Sequence, residues 1–159
     1  MFANLFGRTK ADHVLAPMTG EIVPLESLSD PKFSQKMMGD GVAIQPDDGF
    51  VVSPVDGKVT ELYMTHHAFV IKSKSGIEYL IHVGLDTVFL NGEGFTAHVI
   101  KGDRVSAGDL ILTVDLALVK KKAESTVSPI VVATEVKKLI GHIGQKVTRG
   151  ETEMMYVEK

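Results

Sequence analysis

Two of the six histidines of this chain, His67 and His82, are spaced so that their side chains could act together. The segment Ser73-Lys74-Ser75-Gly76 is typical of a tight hairpin turn, and a two-residue loop there pairs position 73 with position 76. The same register places His67 opposite His82, on one face of an antiparallel strand pair, with Cβ atoms about 5 Å apart. If Gly76 forms a β-bulge instead, the register shifts by one residue and the rings fall on different faces.

Two neutral imidazoles side by side suit the transfer of a phosphoryl group. One ring supplies a nucleophilic nitrogen, and the other can donate a hydrogen bond to the phosphoryl oxygens. Such a transfer needs little beyond in-line positioning and stabilisation of charge. The sequence has no Gly-x-x-x-x-Gly-Lys loop and no kinase-like motif, so we do not expect a nucleotide donor bound by this chain. The alternative interpretation is that both histidines are structural residues, hydrogen-bonded within a sheet, and have no role in catalysis.

The elements that must position this pair are short strands bounded by turn residues. His67 directly precedes one strand candidate and His82 lies within another. The candidates are residues 42–44, 68–73, 77–83, 110–114, 129–133 and 154–157. Helical signals are few: Asp30-Pro31 starts a turn that carries Phe33, Met37 and Met38, and Asp115 caps a short helix over 116–123. Many short strands with little helix predict an all-β fold, an antiparallel sandwich or barrel with very short helical turns.

Two patterns that each occur twice predict a duplicated hairpin layout. A Pro-x-x-Gly turn that leads into an alternating strand occurs at residues 16–25 and again at 53–62. The pattern Gly-x-x-Val-x-x-Gly, followed by an acidic residue, occurs at 102–109 and at 144–151. At 159 residues the chain is long enough for one core and too short for two ordinary domains. We expect one domain over residues 13–159, preceded by a short flexible tail at 1–12.

The composition excludes several classes of function. The net charge is −3 and the one basic run, Lys120-Lys121-Lys122, is too short for a phosphate-binding stripe, so nucleic acid is not an expected partner. The absence of cysteine removes disulfides, a thiolate nucleophile and cysteine-based metal sites, and it favours the cytoplasm. No apolar run approaches the about 20 residues of a membrane span, so no integral membrane segment is expected.

Five segments, in this order and spacing, resemble the glucose-type enzyme IIA of the bacterial phosphoenolpyruvate:sugar phosphotransferase system. They are Met38-Gly39-Asp40-Gly41, Ser53-Pro54-Val55-Asp56-Gly57, Thr65-His66-His67-Ala68-Phe69, residues 81–88 and Asn91-Gly92-Glu93-Gly94-Phe95, and the match runs from about Val14 to the end. The resemblance implies a β-sandwich phosphotransferase with a phosphohistidine intermediate and no cofactor. It also implies two partners: the histidine-containing phosphocarrier protein as donor, and a cysteine of a sugar-specific IIB domain as acceptor.

The resemblance further implies which residues act. His82 takes the phosphoryl group, His67 stabilises it, and the hydroxyl of Thr65 assists. A partner-binding rim around the histidines would contain Asp30, Phe33, Met37, Met38, Tyr63, Leu80, Asp86 and Val88. We expect His66 to be exposed and the protein to be a free-standing carrier. The sugar specificity is expected to reside in the membrane partner. Some members of this family also bind metabolic enzymes or transporters, so regulated targets of that kind are further candidate partners.

Two other classes of protein share parts of this pattern. A zinc hydrolase is the main alternative, because His82-x-x-x-Asp86 has the spacing of a metallopeptidase ligand pair; the third ligand from a His-x-His segment is missing. Biotinyl and lipoyl carriers have similar Gly-x-x-Val-x-x-Gly hairpins, but they need a lysine in a Met-Lys or Asp-Lys context, which is absent. No metal site is expected within the chain, although a partner carboxylate could complete a zinc site over His67 and His82.

Overall fold

Residues 10–159 are described by the computed structural model of the protein, and they form mostly short strands. The strands are β1 Ala11–Leu15, β2 Gly20–Pro24, β3 Asp40–Pro46, β4 Phe50–Val52, β5 Gly57–Leu62, β6 Ala68–Ser73, β7 Glu78–His82, β8 Phe95–Ala97, β9 Arg104–Val105, β10 Leu110–Val114, β11 Ser128–Val132, β12 Lys138–Gly141, β13 Lys146–Val147 and β14 Glu153–Glu158. Within this range there are two short α-helices, α1 Pro31–Ser34 and α2 Leu116–Lys122, and two 3-10 turns, Leu25–Ser27 and Thr87–Leu90. None of these helices is long and apolar enough to cross a membrane.

The strands form antiparallel sheets that enclose one large core. The largest sheet has eight strands in the order β13-β2-β3-β11-β7-β6-β5-β9, and two three-stranded sheets have the orders β1-β14-β12 and β4-β10-β8. Apolar side chains from all three sheets, among them Ile81, Met155 and Leu112, are fully buried in this core. Burial of such side chains removes apolar area from water and holds the layers together. The predicted all-β antiparallel fold with very short helical turns is confirmed.

The two repeated patterns occupy equivalent places at opposite ends of the large sheet. Strand β2, from the first Pro-x-x-Gly copy, pairs with β3 and β13, whereas β5, from the second copy, pairs with β6 and β9. The N–H of Gly144 donates to the carbonyl of Ile22 at 2.8 Å, and the N–H of Gly102 donates to Val59 at 2.7 Å in the matching position. The predicted duplication of the hairpin layout is therefore confirmed.

The side chains of β7 alternate between the large core and the opposite face of the sheet, which carries His82. Tyr79 and Ile81 belong to the large core, whereas Leu80 belongs to a smaller apolar cluster that also contains Phe33 and Ala68. Because successive side chains of a strand point to opposite faces, His82 lies on the same face as Leu80. The smaller cluster is therefore the apolar base on which the histidine is mounted.

The predicted extent of one helix differs from the structure. Helix α1 ends at Ser34, so Met37 and Met38 lie in the following turn, because Lys36 has a left-handed φ of 58° that helical backbone does not allow. The strand β1 begins at Ala11, two residues before the predicted start of the domain at 13. Residues 1–9 of the predicted tail lie outside the described residues, and the division into tail and domain stays a prediction.

Candidate functional site

The hairpin β6–β7 that carries the histidines has a register one residue away from the main prediction. His82 pairs with Ala68, not with His67. The N–H of Ser73 donates to the carbonyl of Ile77 at 2.8 Å, so the loop has three residues and ends at Gly76, whose φ is 88°. A three-residue loop that closes on a left-handed glycine is the bulged form of a hairpin. The two-residue loop was therefore wrong, and the bulge alternative was correct.

The bulge was expected to place the rings of His67 and His82 on different faces of the strand pair, and this expectation is wrong. The ring centroids of His67 and His82 lie 4.9 Å apart, and the ring planes meet at 82°. His67 precedes the first residue of β6 and follows His66, whose φ of 58° belongs to a turn closed by a bond to Tyr63. Because side chains alternate only along extended backbone, the turn can direct the His67 ring towards His82. The predicted pairing of the two rings is present for a reason other than register.

The ring of His82 is held so that one particular nitrogen is available. Its Nδ1 lies 2.8 Å from the carbonyl oxygen of Gly84. A carbonyl oxygen can only accept, so this hydrogen bond assigns the proton to Nδ1 and leaves the lone pair on Nε2. The buried ring of Phe33 packs at 5.1 Å between centroids and limits rotation of the imidazole. Nε2 is thus the nitrogen of His82 that has an available lone pair.

The ring of His67 is buried and has a hydroxyl partner. Its residue is 3% exposed, and its Nδ1 lies 2.5 Å from Oγ1 of Thr65. When the Thr65 hydroxyl donates to Nδ1, the proton of the imidazole lies on Nε2 and can be donated to an oxygen atom. The ring of Tyr63 meets His67 edge-on at 5.4 Å and fixes it from the other side.

The surroundings keep both imidazoles uncharged at neutral pH. Burial, together with the charges of His82 and Lys32, lowers the pKa of His67 from 6.5 to about 4. Burial also lowers the pKa of His82 below its ordinary value, with the charge of Lys32 adding to the effect. The carbonyl of Gly84 and the carboxylates of Asp30 and Asp86 oppose this shift. A neutral imidazole keeps a lone pair on one nitrogen, which a nucleophile requires.

His67→Gln is expected to make the stability of the protein less dependent on pH in the acidic range. The unfolded chain binds a proton at His67 near pH 6.5, whereas the folded chain does so only near pH 4, so the free energy of unfolding falls as the pH decreases through this window. For this one group the fall is about 2 to 3 kcal/mol between neutral pH and about pH 4.5. Urea unfolding at a series of pH values measures the slope. The exposed His98 gives the control His98→Gln, and equal slopes for both variants would contradict a buried neutral imidazole.

A shallow cavity of about 210 Å³ lies over the two rings and contains part of the predicted partner-binding rim. Its lining residues are Lys32, Phe33, Met38, Tyr63, His67, Leu80, His82 and Val88. Two of them, Phe33 and Leu80, are buried residues of the smaller apolar cluster and form the floor of the cavity. Met38, Tyr63 and Val88 are exposed at 39%, 37% and 43%, which makes them available to a partner.

The other predicted rim residues, Asp30, Met37 and Asp86, do not line this cavity. Met37 is 68% exposed, and Asp86 is exposed with a left-handed φ of 60°. Asp30 has a local structural task, because its carboxylate accepts the N–H of Lys32 at 2.9 Å and caps α1. His66, expected to be exposed, is half-buried because it belongs to the tight turn before His67.

Sequence reasoning missed four residues of this region. Gly84 supplies the carbonyl that orients His82, and Lys32 brings a positive charge to the cavity. Met64 and Phe89 are exposed at 96% and 77%, and each directly follows a predicted rim residue in the chain. That adjacency is a signal that could have found Met64 and Phe89. Gly84 could have been found because it lies just past the end of β7, where a strand must turn.

The remaining histidines lie elsewhere. His142 Nε2 lies 2.6 Å from one carboxylate oxygen of Glu153, and His13 Nδ1 contacts the other oxygen. His98 contacts the hydroxyl of Thr113 at 3.1 Å. Among residues 10–159, no group of three or more histidine, aspartate or glutamate side chains is arranged to hold a metal ion. The zinc site completed by a partner over His67 and His82 stays a prediction.

Known proteins resemble this chain over most of its length. The profile of the family described as phosphoenolpyruvate-dependent sugar phosphotransferase system, EIIA 1, matches residues 12–138. A protein named PTS system glucose-specific EIIA component from Bacillus cereus is 48% identical over 99% of this chain and 98% of its own length. One of the same name from Oceanobacillus iheyensis is 46% identical over 99% of both chains.

A solved structure, glucose permease IIA from Mycoplasma capricolum, superimposes with a TM-score of 0.87 at 42% identity, covering 92% of this chain and 96% of that one. The resemblance stated from the motifs is confirmed, and the zinc-hydrolase alternative receives no support. The chain belongs to the EIIA 1 family of the phosphoenolpyruvate-dependent sugar phosphotransferase system, and it is a phosphoryl carrier of that system.

Proposed function

We propose that His82 accepts the phosphoryl group through Nε2. The observation that carries this proposal is the hydrogen bond from Nδ1–H of His82 to the carbonyl of Gly84, because it leaves the lone pair on Nε2. In the transfer, this lone pair forms the new N–P bond while the N–P bond to the donor imidazole breaks, and the donor ring keeps that electron pair. The proton on Nδ1 stays in place, and the Gly84 carbonyl stabilises the positive charge that develops on the ring.

We propose that His67 and Thr65 stabilise the transferred group. With Thr65 donating to Nδ1 of His67, the Nε2–H of His67 is a fixed donor beside the attacking nitrogen. A donor aimed at oxygens that gain negative charge lowers the barrier because it needs no reorganisation during the reaction. His67 does not compete for the phosphoryl group in this arrangement, because the lone pair on its Nδ1 accepts the Thr65 hydroxyl and its Nε2 carries the proton.

The partners we propose are the histidine-containing phosphocarrier protein as donor and the cysteine of a IIB domain as acceptor, both reached in the cytoplasm. The exposed apolar side chains around the cavity support docking of a protein over the histidines. We propose glucose as the sugar, since the cited relatives are named glucose-specific EIIA components. Regulated enzymes or transporters that bind the same face are further proposed partners.

Labelling in a reconstituted system tests this function. The full chain is incubated with labelled phosphoenolpyruvate, enzyme I and the phosphocarrier protein. The expected label is stable to base and labile to acid, as for a phosphohistidine, and peptide mass spectrometry locates it on His82. Addition of the IIB domain of a glucose permease should remove the label. Absence of label, or label on a hydroxyl residue, would contradict the proposal.

Asp86→Lys is expected to slow charging by the phosphocarrier protein, with a larger effect at low salt than at high salt. Asp86 is exposed beside the site, and charges at the edge of an interface act mainly on the rate of encounter. We expect a decrease of about tenfold at low ionic strength. Stopped-flow charging rates over a range of salt concentration measure it, with Asp86→Asn as a control that suits the left-handed backbone. A rate that does not change at low salt would remove Asp86 from the interface.

A further inference from the structure

The cavity over the two imidazoles has a positive charge at its edge that the sequence motifs did not indicate. Lys32, in the first turn of α1, lines this cavity together with His67 and His82. Among the described residues, 10–159, it is the only lysine or arginine that does so. Its ammonium lowers the pKa of both imidazoles, so its field reaches both rings.

Among residues 10–159, the ammonium of Lys32 has one ion-pair partner, and that pair is long. Its nearest carboxylate oxygen is Oδ2 of Asp30 at 3.9 Å, and the Lys32 side chain is 63% exposed. A pair this long and this exposed contributes little energy, so the ammonium can leave it at small cost. Asp30 itself is held in place, because its Oδ1 accepts the N–H of Lys32. The flexible four-carbon stem therefore lets Nζ move over the cavity while α1 stays fixed.

We propose that Lys32 contacts the phosphoryl group and stabilises it once this group is bound to His82. This inference rests on the proposed acceptance at Nε2 of His82. The phosphoryl group brings two negative charges into a cavity where the only described cation is Lys32. An ammonium offers three donors without a fixed geometry, which suits the oxygens of a tetrahedral phosphate.

Lys32 favours acceptance in both states of the carrier. In the free carrier its charge disfavours protonation of the two rings, which keeps the nucleophile available. In the phosphorylated carrier the same charge attracts the phosphoryl oxygens. Both effects shift the equilibrium towards the phosphorylated form. At the solvent-exposed edge of a cavity, screening limits the shift to about fivefold to tenfold in the equilibrium constant.

The equilibrium constant for exchange with the phosphorylated phosphocarrier protein tests this role. Dilute mixtures of the two proteins are brought to equilibrium, and mass spectrometry of the intact proteins measures the fraction phosphorylated. This constant compares only the free proteins, so a contribution of Lys32 to docking does not affect it. Lys32→Gln is expected to lower it about fivefold, whereas Lys32→Arg, which keeps the charge, stays within about twofold of the unaltered protein.

Lys36→Gln is the matched control, since it removes the same charge from the same segment. Lys36 bonds Glu26 and Asp40 at 3.5 Å and 3.3 Å and does not line the cavity. It is expected to change the constant by less than about twofold. The effect of Lys32→Gln is expected to shrink at high salt, as for any partly screened charge.

Two results would overturn the role of Lys32: an unchanged constant in Lys32→Gln, or a loss in Lys32→Arg as large as that in Lys32→Gln. In either case label on His82 of the unaltered protein would leave the proposed function intact. A failure of the proposed function is recognised separately, because the unaltered protein would then carry no label on His82.

Discussion

We expect His82→Ala to abolish phosphoryl acceptance. His67→Ala should still accept the group but pass it poorly to the IIB domain. Of the two imidazoles that line the cavity, only His82 has a nitrogen lone pair left free by a bond on its other nitrogen, so its removal is expected to leave no nucleophile at the site. In the proposed mechanism His67 contributes a donor to the phosphoryl oxygens, and loss of one such donor is expected to cost about 100-fold to 1000-fold in rate. Labelling from phosphoenolpyruvate measures acceptance, and release to a IIB domain measures the second step.

The control for this pair is His98→Ala, which removes an exposed imidazole outside the cavity and should leave both steps unchanged. A second variant, His67→Gln, keeps an amide donor in place of the imidazole and is expected to recover part of the transfer rate. If His82→Ala were labelled normally and His67→Ala were not, the roles of the two histidines would be reversed.

Gly84→Ala should lower both the stability of the protein and the acceptance of phosphate. Gly84 has a φ of 74°, and a Cβ there would lie 2.7 Å from Cγ2 of Thr87 and 2.8 Å from the carbonyl of Ser125. The backbone must therefore shift, and with it the carbonyl that binds Nδ1 of His82. Strain together with the clash is expected to cost about 3 kcal/mol.

Urea unfolding measures the loss of stability in Gly84→Ala, and nitrogen chemical shifts of His82 report whether the proton remains on Nδ1. Gly102→Ala is a matched control, because Gly102 has a φ of 99° but nothing within 4 Å of an added Cβ. It should cost only the backbone strain, about 1 kcal/mol, and leave acceptance unchanged. Equal losses in the two variants would show that contact with Thr87 and Ser125 does not matter. A normal acceptance in Gly84→Ala would separate the Gly84 carbonyl from the chemistry.

The sequence by itself determined the local elements and the family of this protein. Asp30 followed by Pro31 starts α1, and the side chain of Asp115 caps α2, as both residue types do by local hydrogen bonding. The strands predicted at 68–73 and 110–114 have the observed bounds, since turn residues delimit them. The two repeated patterns and the ordered motifs were sufficient for the duplicated layout and for the family. Each of these features depends on residues that are near each other in the chain.

Only the tertiary structure decided how the two histidines meet. The pairing of β6 with β7 shifts by one residue depending on whether the hairpin loop has two residues or has three and closes on Gly76. The same turn residues are compatible with both loops. The left-handed backbone of His66 then compensated for the shift by turning His67 out of the strand alternation.

The composition of the cavity was also decided by packing between distant segments. Phe33 and Leu80 form its floor because they join the smaller apolar cluster, and Lys32 reaches the rings because α1 packs against β7 through Phe33. Hydrophobic pattern predicts that a side chain is buried or exposed, but it does not say which segment lies against which. The position of a single charge relative to two rings depends on that arrangement, because electrostatic effects decrease over a few ångströms in the presence of water.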